Sequence, residues 1–374
     1  MPKATETVLE IDLDALGHNF RYLKSKLKNT TKLLGVVKAY GYGSDAVEIA
    51  KELQHLGVAY LAVAYVKEGV LLRNSGITVP IMVLHPQVIN FEVLIDHCLE
   101  PNLYSNLVLN KFIEVSEKKD QKDYPIHIKF NTGLNRLGFL KKDIPSILEK
   151  INSTDSVRIR SIFSHLAASE DLSERTFSLE QIAAYKSIFE QFLALSDDKP
   201  LLHMCNTSGI LNYPEAHFDM VRSGIGLYGF GNSVEYSKEL KPVATLKSVI
   251  SQIHHLKKGE TVGYNRSYTV EDGAEAQSIA TIPIGHADGI SRAYGNGIGW
   301  VTINGQKAPI VGNVCMDMIM VNCNGITCNE GDEVILFGQS PSAEILSQSV
   351  NSISYELITA ISQRVRRVFV KNYS

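Results

Sequence analysis

Lys38 ends an apolar run, Leu33-Leu34-Gly35-Val36-Val37, and is followed at once by Ala39-Tyr40-Gly41-Tyr42-Gly43. A lysine at the carboxyl end of a buried strand holds its amine in poor solvent, which lowers its pKa and suits a Schiff base or proton transfer. Gly41 and Gly43 permit close approach of backbone to a ligand, and the Tyr42 phenol can donate to a phosphate oxygen. The bland alternative is a lysine stem snorkelling at a strand end. Arg222 also closes an apolar strand, where a cation is costly without a partner; Asp219 is the candidate for a purely structural pair. Asn206-Thr207-Ser208-Gly209 and Ser223-Gly224-Ile225-Gly226 carry hydroxyls and glycines that can bind phosphate through loop amides.

These residues need elements to carry them. Eight apolar runs serve as strands: LLGVVK, YLAVA, IMVL, EPNLY, PIHIKF, RSIFSHL, LLHMCN and DMVRSGIGLYG. Between them lie helix-like segments such as DAVEIAKELQHLG, LVLNKFIEVSEKK and SLEQIAAYKSIFEQFLALS. Continuous apolar strands alternating with helices imply parallel pairing, and eight of them imply a (β/α)8 TIM barrel. A doubly wound sheet is the rival, but no G-x-G-x-x-G follows the first strand. In a barrel, reactive side chains come from the carboxyl ends of strands, which selects Lys38, His85, Tyr104, Lys129 with Asn131, His165, Asn206 with Thr207, and Arg222 with Gly224 as candidates, not all of which can matter. From Pro242 onward short strands and glycine-rich turns replace the helices. The fold class is therefore α/β, a barrel over residues 12–236 followed by a separate β domain, 237–374, which the amino-terminal strand 1–11 joins.

With 374 residues, 44% of them hydrophobic and 21% charged, the chain can bury the cores of two domains. A net charge of -3 gives no basic excess to attract nucleic acid or anionic lipid. No apolar stretch suits a signal peptide or a membrane helix, so a cytoplasmic location is expected. The five cysteines are odd in number and lack any zinc spacing, so reduced thiols and no metal site are expected.

The stretch from Val36 to Gly43 resembles the cofactor-lysine motif of the alanine racemases, a family that uses pyridoxal 5′-phosphate. The resemblance makes Lys38 the Schiff-base lysine and Tyr42 a phosphate contact, with Asn206, Thr207, Gly224 and Ile225 completing the phosphate site. Arg222 matches the arginine that hydrogen-bonds the pyridine nitrogen, and His165 a histidine near it. Phe130-Asn131-Thr132-Gly133-Leu134-Asn135-Arg136-Leu137-Gly138 resembles the substrate loop, with Arg136 orienting the substrate carboxylate. Asn131 stands where aspartate is more usual, and Lys129 where many members carry a carbamylated lysine. Thr261-Val262-Gly263-Tyr264-Asn265-Arg266 resembles the motif of the tyrosine base, and Cys315-Met316-Asp317 a loop whose methionine and aspartate line the substrate site. Tyr355 matches a tyrosine near the active-site mouth, while His286 replaces a tyrosine usual there.

The resemblance implies an isomerase that interconverts L- and D-alanine with two bases, Lys38 and Tyr264, one on each face of Cα. One group reaches only one face. A free phenol titrates near ~10 and serves as base only if cations favour the phenolate, a bias His165 and Arg222 could supply. An arginine, unlike a carboxylate, does not encourage a protonated pyridine, so the ring is a weaker electron sink and reprotonation at Cα is favoured. The resemblance further implies a homodimer in which the tyrosine, methionine and aspartate of one subunit complete the site of the other, and a product that feeds peptidoglycan. The rivals are a broader-specificity racemase or decarboxylase on the same barrel and a non-catalytic pyridoxal-phosphate carrier.

Overall fold

The structure, a computed structural model, describes residues 4–270 and 276–371. Its strands, in chain order, are β1 Val8–Asp12, β2 Lys32–Val36, β3 Tyr60–Val63, β4 Ile81–Val83, β5 Glu100–Leu103, β6 Tyr124–Lys129, β7 Val157–Phe163, β8 Leu201–His203 and β9 Met220–Ser223. Then come β10 Ala244–Val249, β11 Gln252–Leu256, β12 Thr261–Val262, β13 Tyr268–Thr269, β14 Gln277–Ile282, β15 Trp300–Ile303, β16 Gln306–Val311, β17 Ile319–Asn322, β18 Glu333–Phe337 and β19 Arg366–Val370. The chain divides into two compact units. One comprises Gly17–Gly41 and Ala46–Leu240; the other comprises the chain through Leu16, Tyr42–Asp45 and the chain from Lys241 onward.

In the first unit β2 to β9 form an eight-stranded parallel sheet in the order β8-β7-β6-β5-β4-β3-β2-β9. Its two edge strands meet through Asp219 N–H to Leu202 O at 3.1 Å and Arg222 N–H to Cys205 O at 3.0 Å. That is the expected (β/α)8 TIM barrel, nearly closed. Helices such as Ala46–His55, Asn106–Lys118 and Arg175–Leu195 return the chain between strands. β6 illustrates why the sequence adopts this form. Ile126 and Ile128 are fully buried, each worth about 1.5–3 kcal/mol of transfer energy. Period-two alternation puts His127 and Lys129 on the opposite face.

The second unit is strand-rich. Nine strands pair in the order β11-β14-β17-β16-β15-β18-β10-β1-β19, antiparallel except for β1 with β19. β1 lies between β10 and β19, with Val8 opposite Lys247 on one side and Arg366 on the other. Lys247 there pairs with Glu10 at 2.9 Å in a buried contact.

One local expectation is corrected. The stretch after Lys38, read as a glycine loop, winds as a left-handed turn in which Ala39, Tyr40, Gly41, Tyr42 and Gly43 all have φ between 52° and 82°. L-residues resist that conformation by roughly 1–2 kcal/mol each, so the surroundings must hold it. Glu68 does so from the helix Val66–Asn74. Its carboxylate accepts from the Ala39 amide at 2.7 Å and from the amides of Ala64 and Tyr65 at 2.6 and 3.0 Å.

Candidate active site

Lys38 follows β2 directly, and desolvation holds its amine below the usual lysine range. Arg136 pushes in the same direction, while Glu68 opposes. Lys129, the last residue of β6, is brought down to about 8 by burial and then by Arg136, Arg222 and Lys38. Four cations thus crowd one barrel mouth, and burial together with the charge of their neighbours depresses Lys38, Lys129 and Arg222. Such a cluster attracts ligands with more than one anionic group.

Arg222 is 5% exposed and is held by acceptors alone. Nη1 donates to Nδ1 of His203 at 2.6 Å; Nη2 donates to Ser164 O at 2.8 Å, His165 Nδ1 at 3.0 Å and Met204 O at 3.1 Å. Asp219 is not its partner, since that carboxylate accepts from the Leu202 amide at 2.8 Å. A guanidinium only donates, so both histidines present a bare Nδ1 to it and carry their hydrogen on Nε2. Their basicity agrees. His165 is held well below the usual histidine range by desolvation, then Arg222, Arg136, Lys129 and Lys38; His203 likewise by burial, Arg222 and His127. Beneath them the Phe163 ring stacks on His203 at 4.8 Å and lies 5.2 Å from the Arg222 guanidinium and 5.9 Å from the Lys129 ammonium.

The hydroxyls flanking β9 are also organised. Thr207 Oγ1 lies 3.1 Å from Ser223 Oγ and accepts from the Gly226 amide at 3.2 Å. Asn206 caps the short helix Thr207–Asn212 by accepting from the Gly209 amide at 2.8 Å, and also accepts from Ser169 at 2.7 Å. Gly224 and Ile225 form the turn after β9, their carbonyls accepting from the amides of Leu227 and Tyr228.

Arg136 sits on an exposed loop that Asn131 ties down. Asn131 Oδ1 accepts from the amides of Gly133 and Asn135 at 3.1 and 3.0 Å, and its Nδ2 donates to Asn135 Oδ1 at 2.8 Å. Asparagine here satisfies what a carboxylate would accept and adds a donor.

The second unit carries the remaining candidates. Tyr42 is buried against Tyr355, ring centroids 6.1 Å apart, and its phenol is pushed above the usual range by burial and by Tyr355. Tyr264 occupies a turn and is 72% exposed. Its carbonyl accepts from Asn313 Nδ2 at 3.1 Å, which fastens the turn to the segment leading into Met316 and Asp317. Met316 is 59% exposed, and Asp317 accepts from Arg364 at 2.7 Å, which also donates to Asp288 at 2.6 Å. The amide of His286 donates to Cys315 O at 2.9 Å, so exposed His286 shares this surface.

Sequence reasoning missed Glu68, His127, His203 and Ser161. The one available signal was alternation: His127 lies two residues before Lys129, and Ser161 two before Phe163.

The chain resembles known proteins over nearly its whole length. The profile of the alanine racemase N-terminal domain matches residues 11–231 and that of the C-terminal domain residues 243–369. An alanine racemase of Clostridium kluyveri is 36% identical, covering 97% of this chain and 93% of that protein. A solved alanine racemase of Clostridium difficile superimposes with a TM-score of 0.92 at 33% identity over 99% of this chain and 97% of the other. One from Bartonella henselae with covalently bound pyridoxal phosphate gives 0.88 at 30% identity over 98% and 100%.

Proposed function

Since the chain belongs to the alanine racemase family over nearly its whole length, we propose that it interconverts L- and D-alanine with pyridoxal 5′-phosphate at the barrel mouth. The residues fit that group. Among the described residues the Nε–H of Arg222 meets no protein acceptor, which suits a pyridine nitrogen. Thr207, the Gly224 and Ile225 turn and Asn206 offer a phosphate site, to which the Tyr42 phenol is assigned by family resemblance. When bound, the cofactor supplies an electron-withdrawing ring that acidifies the Cα–H of an amine joined to it.

The chain's own residues do the rest. Arg136 pairs with the substrate carboxylate, aided by Met316 and Asp317 at the site wall. Lys38, its amine already depressed, holds the cofactor and exchanges a proton with Cα from the side reached by D-alanine. The Tyr264 oxygen takes the proton from L-alanine on the opposite face. His165 supports it, because Arg222 occupies Nδ1 and leaves Nε2–H free to donate. One proton leaves Cα and one returns, so no oxidant is needed. Family resemblance assigns Tyr355 and His286 to the entrance of the site, and Lys129 accepts carbon dioxide to become a carbamate that turns one cation of the cluster into an anion.

The observation that carries the proposal is the coupled cation cluster of Lys38, Lys129, Arg136 and Arg222. A second supports a homodimer with shared sites: an acid–base tyrosine must be shielded from water, and 72% exposure of Tyr264 calls for a covering subunit. We place the enzyme in the cytoplasm supplying D-alanine to peptidoglycan, on the strength of the family. Incubation of each enantiomer in deuterium oxide with added cofactor tests the activity. Formation of the opposite enantiomer with deuterium at Cα and no carbon dioxide is expected; no interconversion with cofactor bound overturns it.

A further inference from the structure

Behind Arg222 a line of side chains crosses the barrel, one from each of four consecutive strands. His203 Nε2 of β8 lies 2.9 Å from Ser161 Oγ of β7, that oxygen 2.6 Å from His127 Nδ1 of β6, and His127 Nε2 2.8 Å from Glu100 Oε2 of β5. His203, Ser161 and His127 are fully buried. The strand pairing makes the line possible, since His127 lies opposite both Asn102 and Ser161 and Phe163 lies opposite His203.

The directions of these bonds follow from the two ends. Arg222 only donates, so His203 accepts at Nδ1 and donates from Nε2 to Ser161. The serine hydrogen then goes to His127 Nδ1, and His127 donates from Nε2 to the Glu100 carboxylate. Every donor has one acceptor and both imidazoles are neutral. A protonated His127 would donate to Ser161 as well, leaving a buried hydroxyl hydrogen with no acceptor among the described residues. Other groups frame the carboxylate end. The Tyr60 ring lies edge-on 5.9 Å from that of His127, and Arg160 donates to the Tyr60 oxygen at 2.9 Å. Arg73 and Tyr124 also feel the Glu100 charge. At the other end Tyr185 accepts from the His203 amide at 3.1 Å.

We propose that Glu100, Ser161 and His127 are positioning residues for the racemisation, a one-way hydrogen-bond line that fixes the tautomer of His203 and so the aim of Arg222 and, through it, the hydrogen on His165. The inference rests on the reading in which Arg222 faces the cofactor and His165 supports Tyr264. It assigns Glu100 a role although it touches neither substrate nor cofactor. The carboxylate can only accept and the guanidinium can only donate, so the two ends together oppose the reversed line, in which His203 would point a hydrogen at the guanidinium.

Three variants test this. Glu100→Gln keeps a hydrogen-bonding group but can also donate, which removes one of the two ends that hold the line in its direction and leaves Arg222 as the only check on its reversal. Ser161→Ala cuts the line, and Ser161→Thr restores the hydroxyl. Histidine side-chain ¹⁵N spectra of the full-length protein with and without added cofactor should show His203 and His127 as Nε2–H tautomers in the native chain. The Nδ1–H form should appear in Glu100→Gln and Ser161→Ala and be absent in Ser161→Thr. With alanine, kcat should fall about tenfold in the first two with KM within about twofold and an altered acid limb of the pH profile, while threonine recovers kcat. An Nδ1–H or doubly protonated His203 in the native chain overturns the proposal. So do unchanged tautomers and unchanged kcat in Glu100→Gln, which keeps the side-chain volume should Ser161→Ala fail to fold. A native protein with no racemase activity but the expected tautomers refutes the functional reading and leaves the line standing.

Discussion

At the scale of single residues the barrel mouth gathers cations, of which Lys129 and Arg222 are buried. Lys129, brought down to about 8, is largely neutral above that pH and charged below it. A lysine depressed on folding contributes stability that is complete above the ordinary lysine range and lost as pH falls through about 8. The neutral amine is also the form that attacks carbon dioxide, forming an N–C bond and releasing a proton. Carbamate on Lys129 should therefore increase between pH 7 and 9, read by ¹³C resonance from labelled bicarbonate; an equal signal from Lys129→Gln would sink the assignment. Tyr264→Phe should retain cofactor binding and lose roughly 10²- to 10⁴-fold in turnover of L-alanine. Undiminished racemisation by that variant would remove the tyrosine from the mechanism.

Among the elements, the left-handed turn after β2 and the loop bearing Arg136 depend on residues that cannot be replaced cheaply. A Cβ on Gly43, at φ +82°, would lie 2.0 Å from Ile358 O, and one on Gly138, at φ +133°, 2.6 Å from the Asn131 nitrogen. Gly138→Ala should cost more than about 1 kcal/mol in denaturant unfolding and raise KM for alanine, because the loop that aims Arg136 must shift. Glu68→Gln should release the turn, costing about 1–3 kcal/mol for weakened bonds to three amides and lowering cofactor affinity. An unchanged midpoint and affinity would show that Glu68 does not hold the turn. Much of this scale was legible beforehand: β2 to β9 follow from apolar runs, and Lys38, Lys129 and Arg222 from their strand ends. The five positive φ values were not, because Ala39 and Tyr40 carry no local sign of left-handedness. Nor were Glu100, Ser161 and His203, whose partners lie about thirty to forty residues away and meet only once strand register is fixed.

For the whole molecule, the exposed Tyr264 and Met316 predict complementation. Lys38→Ala and Tyr264→Phe should each be inactive on L-alanine, yet mixing and reassociating them should restore activity, because a mixed dimer holds one site with both native groups. Mixed dimers that form and stay silent would place both bases in one subunit. The position of β1 bears on how the protein is made. Its two sheet partners, β10 and β19, both follow the whole barrel in the chain. During translation β1 must wait, with Val8, Leu9 and Ile11 uncovered, until β10 and then β19 have been made. A gene truncated before Arg366 thus endangers the opening residues as much as the closing ones, and nascent chains should draw chaperones to the amino terminus throughout barrel synthesis.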